Sequence, residues 1–137
     1  MAFTLDQRLA ASSHLVATES GIQVRLADDA RFVWLLLVPE TEGACELHDL
    51  EDGDRAALLD LANDLGSWMK TAFDADKINM AAIGNVVAQL HVHVVARHLT
   101  DAAWPAPIWG HGDPQPRSDA SRAGLIRDIA RFLETRR

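Results

Sequence analysis

Cysteine is all but absent from this chain of 137 residues: Cys45 stands alone. A single thiol forms no intramolecular disulfide and no cysteine-based zinc site, so a reducing compartment is expected. Positive charge is also short. The formal net charge is −7, whereas a protein that grips DNA or RNA through phosphates needs clustered lysine and arginine. No DNA or RNA partner is expected, although a local donor-rich site can still take a small anion. Long apolar runs are missing. The longest, residues 32–38, is far too short to span a bilayer, so no membrane partner is expected. The opening residues, Met1 to Asp6, show no basic stretch followed by an apolar one; no signal peptide is expected, and a cytoplasmic location follows. The chain carries no internal repeat and no low-complexity segment.

What is present suits one globular domain over 1–137, with hydrophobic residues at 48%. Residues 14–18 and 22–26 read as strands of a hairpin turning at Glu19-Ser20-Gly21, and Asp28-Asp29-Ala30 as a second turn. Residues 32–38 read as a strand buried on both faces and ended by Pro39. Asp49 or Asp52 is expected to cap a helix with Leu58, Leu61, Leu65, Trp68 and Met69 on its apolar stripe. Residues 77–83 read as a strand, broken by Gly84-Asn85. Ser118 or Asp119 is expected to cap a last helix with Leu125, Ile126, Ile129, Phe132 and Leu133 inward and Arg127, Arg131, Arg136 and Arg137 toward its C-terminal end. Strands, helix, strands, helix is the order of an α+β fold with a largely antiparallel sheet.

The chemistry concentrates in Gln89-Leu90-His91-Val92-His93-Val94-Val95-Ala96-Arg97. Strand period two places Gln89, His91 and His93 on one face and Leu90, Val92 and Val94 on the other, toward a core. Polar side chains in line on a strand face are unfavourable unless solvated, bonded or used. Two neutral imidazoles so placed can bind a metal, act as general base or attack an electrophile. A metal needs further ligands; His98, His111 and Asp113 are the candidates in the following loop, with Gln89 a weak one. Attack on phosphorus instead needs an unprotonated imidazole whose second nitrogen is held by an acceptor, and donors for the phosphoryl oxygens. The plain alternative is a strand with solvent-facing histidines.

Other residues carry two readings each. Trp104 and Trp109 lie in a loop, residues 104–114, with three prolines and two glycines. Both are candidates to stack on a base or close the site, with loop anchoring or a dimer contact as the alternative. Arg97 is a candidate phosphate contact or a strand-end surface arginine. Trp34 and Trp68 are expected in the core, and His14, His48, His98 and His111 at the surface or in caps. Cys45 has no neighbouring base and is expected to have no catalytic role.

Residues 79–95 resemble the histidine triad (HIT) family of nucleotidyl hydrolases and transferases, whose signature is His-x-His-x-His-x-x with hydrophobic x. Here Gln89 stands where the first triad histidine would be, and the sequence is close to a bacterial HIT-like subgroup carrying the same glutamine. The resemblance extends over most of the chain: residues 26–39 look like the family's ribose-contacting strand-turn-strand, His48-Asp49-Leu50 like the lead into its long helix, and Trp104-Pro105 and Trp109-Gly110 like the subgroup's loop after the motif. It implies a mainly antiparallel five-stranded sheet with two main helices, paired across a homodimer, and a small-molecule nucleotide substrate without metal or other cofactor. By the resemblance, His91 is the nucleophile that attacks the α-phosphorus of a nucleoside phosphate anhydride, ester or phosphoramidate, forming a nucleotidyl-histidine intermediate. His93 orients the site near the phosphate, Asp28 holds the ribose hydroxyls, and Asn79 and Asn85 line the phosphate side. Gln89 cannot titrate, and Val86 stands where many relatives have serine or threonine. Both departures imply weakened or altered leaving-group chemistry with the nucleophile retained. A nucleotide-binding module with little or no turnover is the second reading, and a His-ligated metal hydrolase the third.

Overall fold

The structure is a computed structural model describing residues 2–136, so the sequence readings at Met1 and Arg137 lie outside it. Among the described residues the chain forms α1 (Gln7–Ser12), β1 (Ser13–Glu19), β2 (Ile22–Ala27), β3 (Val33–Pro39), α2 (Asp52–Ala72), β4 (Lys77–Ala81), β5 (Val92–Arg97) and α3 (Asp119–Thr135), with a 3-10 turn at Leu47–Asp49. The strands pair antiparallel in one sheet, ordered β1-β2-β3-β5-β4. This is the α+β architecture, five strands and two long helices, that the sequence pattern and the resemblance imply. The β1–β2 hairpin turns through Ser20 and Gly21 at φ 49° and 75°. Positive φ at both central residues lets a two-residue turn follow the right-handed twist of its strands.

Strand alternation sorts the sheet into two faces. Val24, Leu26, Leu35, Leu37, Val92 and Val94 form the first, packed against Leu58, Leu61, Leu65 and Met69 of α2 and Ile129 and Leu133 of α3. On this side the helical and strand periods agree with the sequence reading. Trp68 stacks on Phe132 at 5.0 Å and packs against that core. The opposite face is covered without long helices. Phe3, Leu5 and Leu9 of the N-terminal segment pack on Leu36 and Val38. Ala103 and Ile108 of the loop after β5 pack on Phe32 and Val95.

Several boundaries differ from the sequence reading. Glu51, not Asp49 or Asp52, precedes α2, and Asp52 and Asp54 lie in its first turn, where the helix dipole favours carboxylates. Asp49 caps the 3-10 turn instead: its Oδ2 accepts from the N–H groups of Cys45 and Glu46 at 3.0 and 2.8 Å. Ser118 does cap α3, accepting from the Ser121 N–H. At the far end of α3 the Arg136 Nε donates to Asp64 of α2 at 2.7 Å. β4 stops at Ala81, and β5 starts only at Val92. The Leu90 N–H goes to the Ala44 carbonyl rather than to β3, which leaves Gln89 and Leu90 outside the ladder.

Candidate active site

His91 ends the irregular segment before β5, and His93 is the second residue of that strand. Both are buried, and their rings meet edge to face at 4.8 Å between centroids. Each is held in one tautomer. His91 Nδ1 lies 2.7 Å from the Gln89 carbonyl oxygen. A carbonyl only accepts, so Nδ1 carries the proton and Nε2 keeps its lone pair in the neutral ring. His93 is the reverse. The Trp34 Nε1–H donates to His93 Nδ1 at 3.0 Å, which places the His93 proton on Nε2, 3.3 Å from the Ile83 carbonyl. Burial, with the positive charge of a protonated His91, pushes the His93 imidazole down to about 4, against the pull of the Ile83 carbonyl. His93 is therefore a neutral support at pH 7, and His91 carries the available lone pair.

The two histidines open into a cleft of about 800 Å³, walled by Leu9 and Ser12 of α1, Asp28, Trp34, and Ile108 and Trp109 of the loop after β5. A smaller polar cavity of about 120 Å³, lined by Cys45, Glu46 and Gln89 among others, adjoins it. His91 and Asn85 line both. Asp28 Oδ1 accepts from the Arg117 N–H at 3.2 Å, and the His14 Nε2 lies 3.8 Å from the same oxygen. Trp109 packs its ring edge-on to His93 at 5.3 Å. His111 is exposed, as expected, and also lines the cleft; its carbonyl accepts from Arg31 Nη1 at 2.6 Å. Arg31 is itself clamped by Asp29. That clamp ties the loop over the cleft.

Several sequence expectations are revised in place. Gln89 lies outside the strand, and its amide is not free for the site: it is engaged by the N-terminal segment, accepting from the Asp6 N–H at 2.8 Å and donating to the Thr4 carbonyl at 2.9 Å. Arg97 and Asn79 share the histidine face but not the cleft. Arg97 is buried; its guanidinium donates to both Asp101 oxygens, to Asn79 Oδ1 at 2.8 Å and to the Ala106 carbonyl. Trp104 lies under that cluster, its ring 5.5 Å from the Arg97 guanidinium carbon, and does not line the cleft. Trp34, expected in the core, is a site residue. Register would have found it: Trp34 pairs with Val95 and Leu36 with His93, so even-numbered β3 residues share the histidine face. α1 gave no such signal, because six residues are too few for a helical stripe to show.

His93 is not free to ligate a metal, since both of its nitrogens are already hydrogen-bonded. Among the described residues no group of three or more His, Cys, Asp or Glu side chains is placed to hold an ion.

The family model for the HIT domain matches residues 8–100. The chain belongs to the histidine triad family. Solved HIT proteins agree over nearly the whole chain. One from Sinorhizobium meliloti is 38% identical with a TM-score of 0.92, covering 95% of this chain and 96% of its own. One from Marinobacter aquaeolei is 35% identical with a TM-score of 0.95, covering 98% of each. One from Bradyrhizobium japonicum is 34% identical with a TM-score of 0.94, covering 97% of this chain and 99% of its own. No curated protein matches the chain. The HIT match includes α1 from its second residue and both histidines; Trp109, His111 and Arg117, which wall or brace the cleft, lie beyond its last residue.

Proposed function

We propose that this HIT protein is a nucleotidyl hydrolase or transferase that works through His91. The observation carrying the proposal is the bond from His91 Nδ1–H to the Gln89 carbonyl, which leaves Nε2 as a free nucleophile beside a cleft of nucleotide size. The nucleoside occupies the large cleft. Its ribose hydroxyls donate to Asp28, a carboxylate able to accept from both at once. Its base lies between Leu9 and Trp109, both on the cleft wall. The α-phosphate sits at the junction of the two cavities, where the Asn85 amide is placed to donate to a phosphoryl oxygen.

His91 Nε2 attacks the α-phosphorus. The new N–P bond forms as the bond to the leaving group breaks, and the leaving group departs with the electron pair. The ring is then cationic, and its Nδ1–H bond to the Gln89 carbonyl becomes charge-assisted and stronger. Water, or an acceptor alcohol in a transferase, next attacks phosphorus and gives up its proton to solvent; the N–P bond breaks with its electron pair returning to Nε2, which restores neutral His91. His93 stays neutral throughout at pH 7 and supports the His91 ring. The leaving group's proton therefore comes from solvent. A basic leaving group is thus at a disadvantage relative to a phosphate.

Wild-type protein mixed with nucleoside polyphosphates or phosphoramidates and quenched in denaturant is expected to carry a nucleotide-mass adduct at His91. His91→Ala is expected to keep nucleotide binding and lose both adduct and turnover. Turnover unchanged in that variant would refute the mechanism. The second reading, a binding module, is favoured by Val86, an apolar residue 80% exposed at the cleft where many relatives have a hydroxyl; binding without any adduct in wild type would establish it. A homodimer paired through the β4 edge is part of the same proposal, because an uncovered edge strand is a liability.

A further inference from the structure

Gln89 departs from the triad, and its side chain has a task that histidine does not fit. An amide carries a donor and an acceptor side by side, as a peptide unit does. In an extended segment the carbonyl of one residue and the N–H of the second residue on point to the same side. The Gln89 amide meets that pair, the Thr4 carbonyl and the Asp6 N–H, at 2.9 and 2.8 Å. The two nitrogens of an imidazole point away from one another and cannot serve both groups of one segment.

What Gln89 fastens is part of the cleft. Asp6 caps α1, its Oδ1 accepting from the Arg8 N–H at 2.8 Å. Arg8 reaches back to donate to the Val86 carbonyl at 3.0 Å, joining α1 to the segment before β5. Phe3, Leu5 and Leu9 lie over Leu36 and Val38 on the histidine face, and Leu9 and Ser12 wall the cleft. The residue whose carbonyl fixes the His91 tautomer thus uses its side chain to anchor the wall opposite.

We propose that Gln89 is a positioning residue that docks residues 4–6 and so seats α1, whose Leu9 and Ser12 wall the cleft. At the first triad position this chain has exchanged proton chemistry for construction of the binding site. The docking stands on geometry alone; its effect on catalysis rests on the nucleotidyl-transfer reading above.

The test compares Gln89→Ala and Gln89→His with wild type by amide hydrogen exchange over residues 3–10, by AMP binding, and by a split of KM from kcat. Both variants keep the backbone carbonyl that holds His91. Loss of two hydrogen bonds of ordinary net worth should lower exchange protection of the segment about ten-fold or more. The AMP dissociation constant and KM should rise by a similar factor, with kcat changing less than about three-fold. Gln89→His should behave like Gln89→Ala and gain no turnover. Asp6 has φ −56°, which suits proline. Asp6→Pro, which deletes the N–H that Gln89 accepts, should reproduce the loss of protection beyond that of Asp6→Ala and add little to Gln89→Ala. Unchanged protection in Gln89→Ala would overturn the docking. A faster Gln89→His, or a collapse of kcat with KM unchanged, would return Gln89 to the chemistry. Absence of AMP binding in wild type would overturn the nucleotide reading instead, while the exchange data would still decide the docking.

Discussion

His93 accepts the Trp34 N–H at Nδ1, so protonating it there sets two N–H groups against each other, on top of the penalty of burial. Its imidazole falls to about 4 from an ordinary 6.5. A histidine with a depressed native value stays neutral in the fold while the unfolded chain takes up protons. Its contribution to stability is therefore complete above about 6.5 and is lost as pH falls from there to about 4, with a magnitude of about 3 kcal/mol. Denaturant titrations at pH 7 and pH 4.5 should show that loss in wild type and much less of it in His93→Gln. Carboxylates begin to take up protons at the lower end of this window, so the difference between wild type and His93→Gln is what isolates the histidine. Trp34→Phe removes the opposing N–H, so the His93 titration followed by NMR should move up; no movement would mean that burial and the neighbouring His91 set it without Trp34. Val86 belongs to the same scale. It is 80% exposed, so Val86→Ser disturbs no packing and adds a hydroxyl donor beside the proposed phosphate position. One such donor should raise turnover about three- to ten-fold without changing stability; an unchanged rate would show that the hydroxyl has no transition-state partner here.

The loop after β5 depends on the Arg97–Asp101 pair. Burial alone would raise the Asp101 carboxyl, but the Arg97 guanidinium and the backbone N–H groups of His98 and Ala103 outweigh it and hold it well below the usual carboxylate range. The two partners are not equivalent. Asp101 also accepts from the Trp104 N–H, so its removal strands a buried guanidinium and three backbone donors. Removing Arg97 leaves the carboxylate with those three donors still in place. Asp101→Ala is therefore expected to destabilise by about 3–5 kcal/mol, and Arg97→Met by about 1–3 kcal/mol. Chemical denaturation checks the order; a larger loss in Arg97→Met would contradict it. This pair also shows what sequence pattern conceals. Leu58, Leu61 and Leu65 announce α2 because a helix repeats its buried face, and Val92 and Val94 announce β5 in the same way. Arg97 obeys the strand period too, yet whether its guanidinium meets a phosphate or Asp101 depends on how a non-periodic loop folds back. The partners of Gln89 were hidden for a related reason. Period two holds only while the chain stays in the ladder, and the Ala44 carbonyl takes the Leu90 N–H before β5 begins.

At the scale of the molecule, the sheet is a partition. Periodic helices cover one face, and two irregular covers, the N-terminal segment and the loop after β5, flank the cleft on the other. The first face is legible from spacing alone; on the second, spacing picks out His91 and His93, the resemblance adds Asp28, and three-dimensional contacts reveal Trp34 and Leu9. The edges of the partition differ. β1 is bulged between Leu15 and Ala17, which spoils its outer edge as a template. β4 is regular, lies at the other edge and leaves Met80 47% exposed, so it is the edge suited to pairing with a second copy. Sedimentation should therefore report a dimer, and Met80→Lys should shift it toward monomer by placing like charges together across the two-fold axis. The same chain supplies His91, the His93–Trp34 pair, Asp28, Trp109 and the Gln89-docked wall. A monomeric Met80→Lys protein should accordingly still form the His91 adduct. A monomer with its nucleotide binding intact and no adduct would show that the partner completes the site; a variant that remains dimeric would move the interface away from β4.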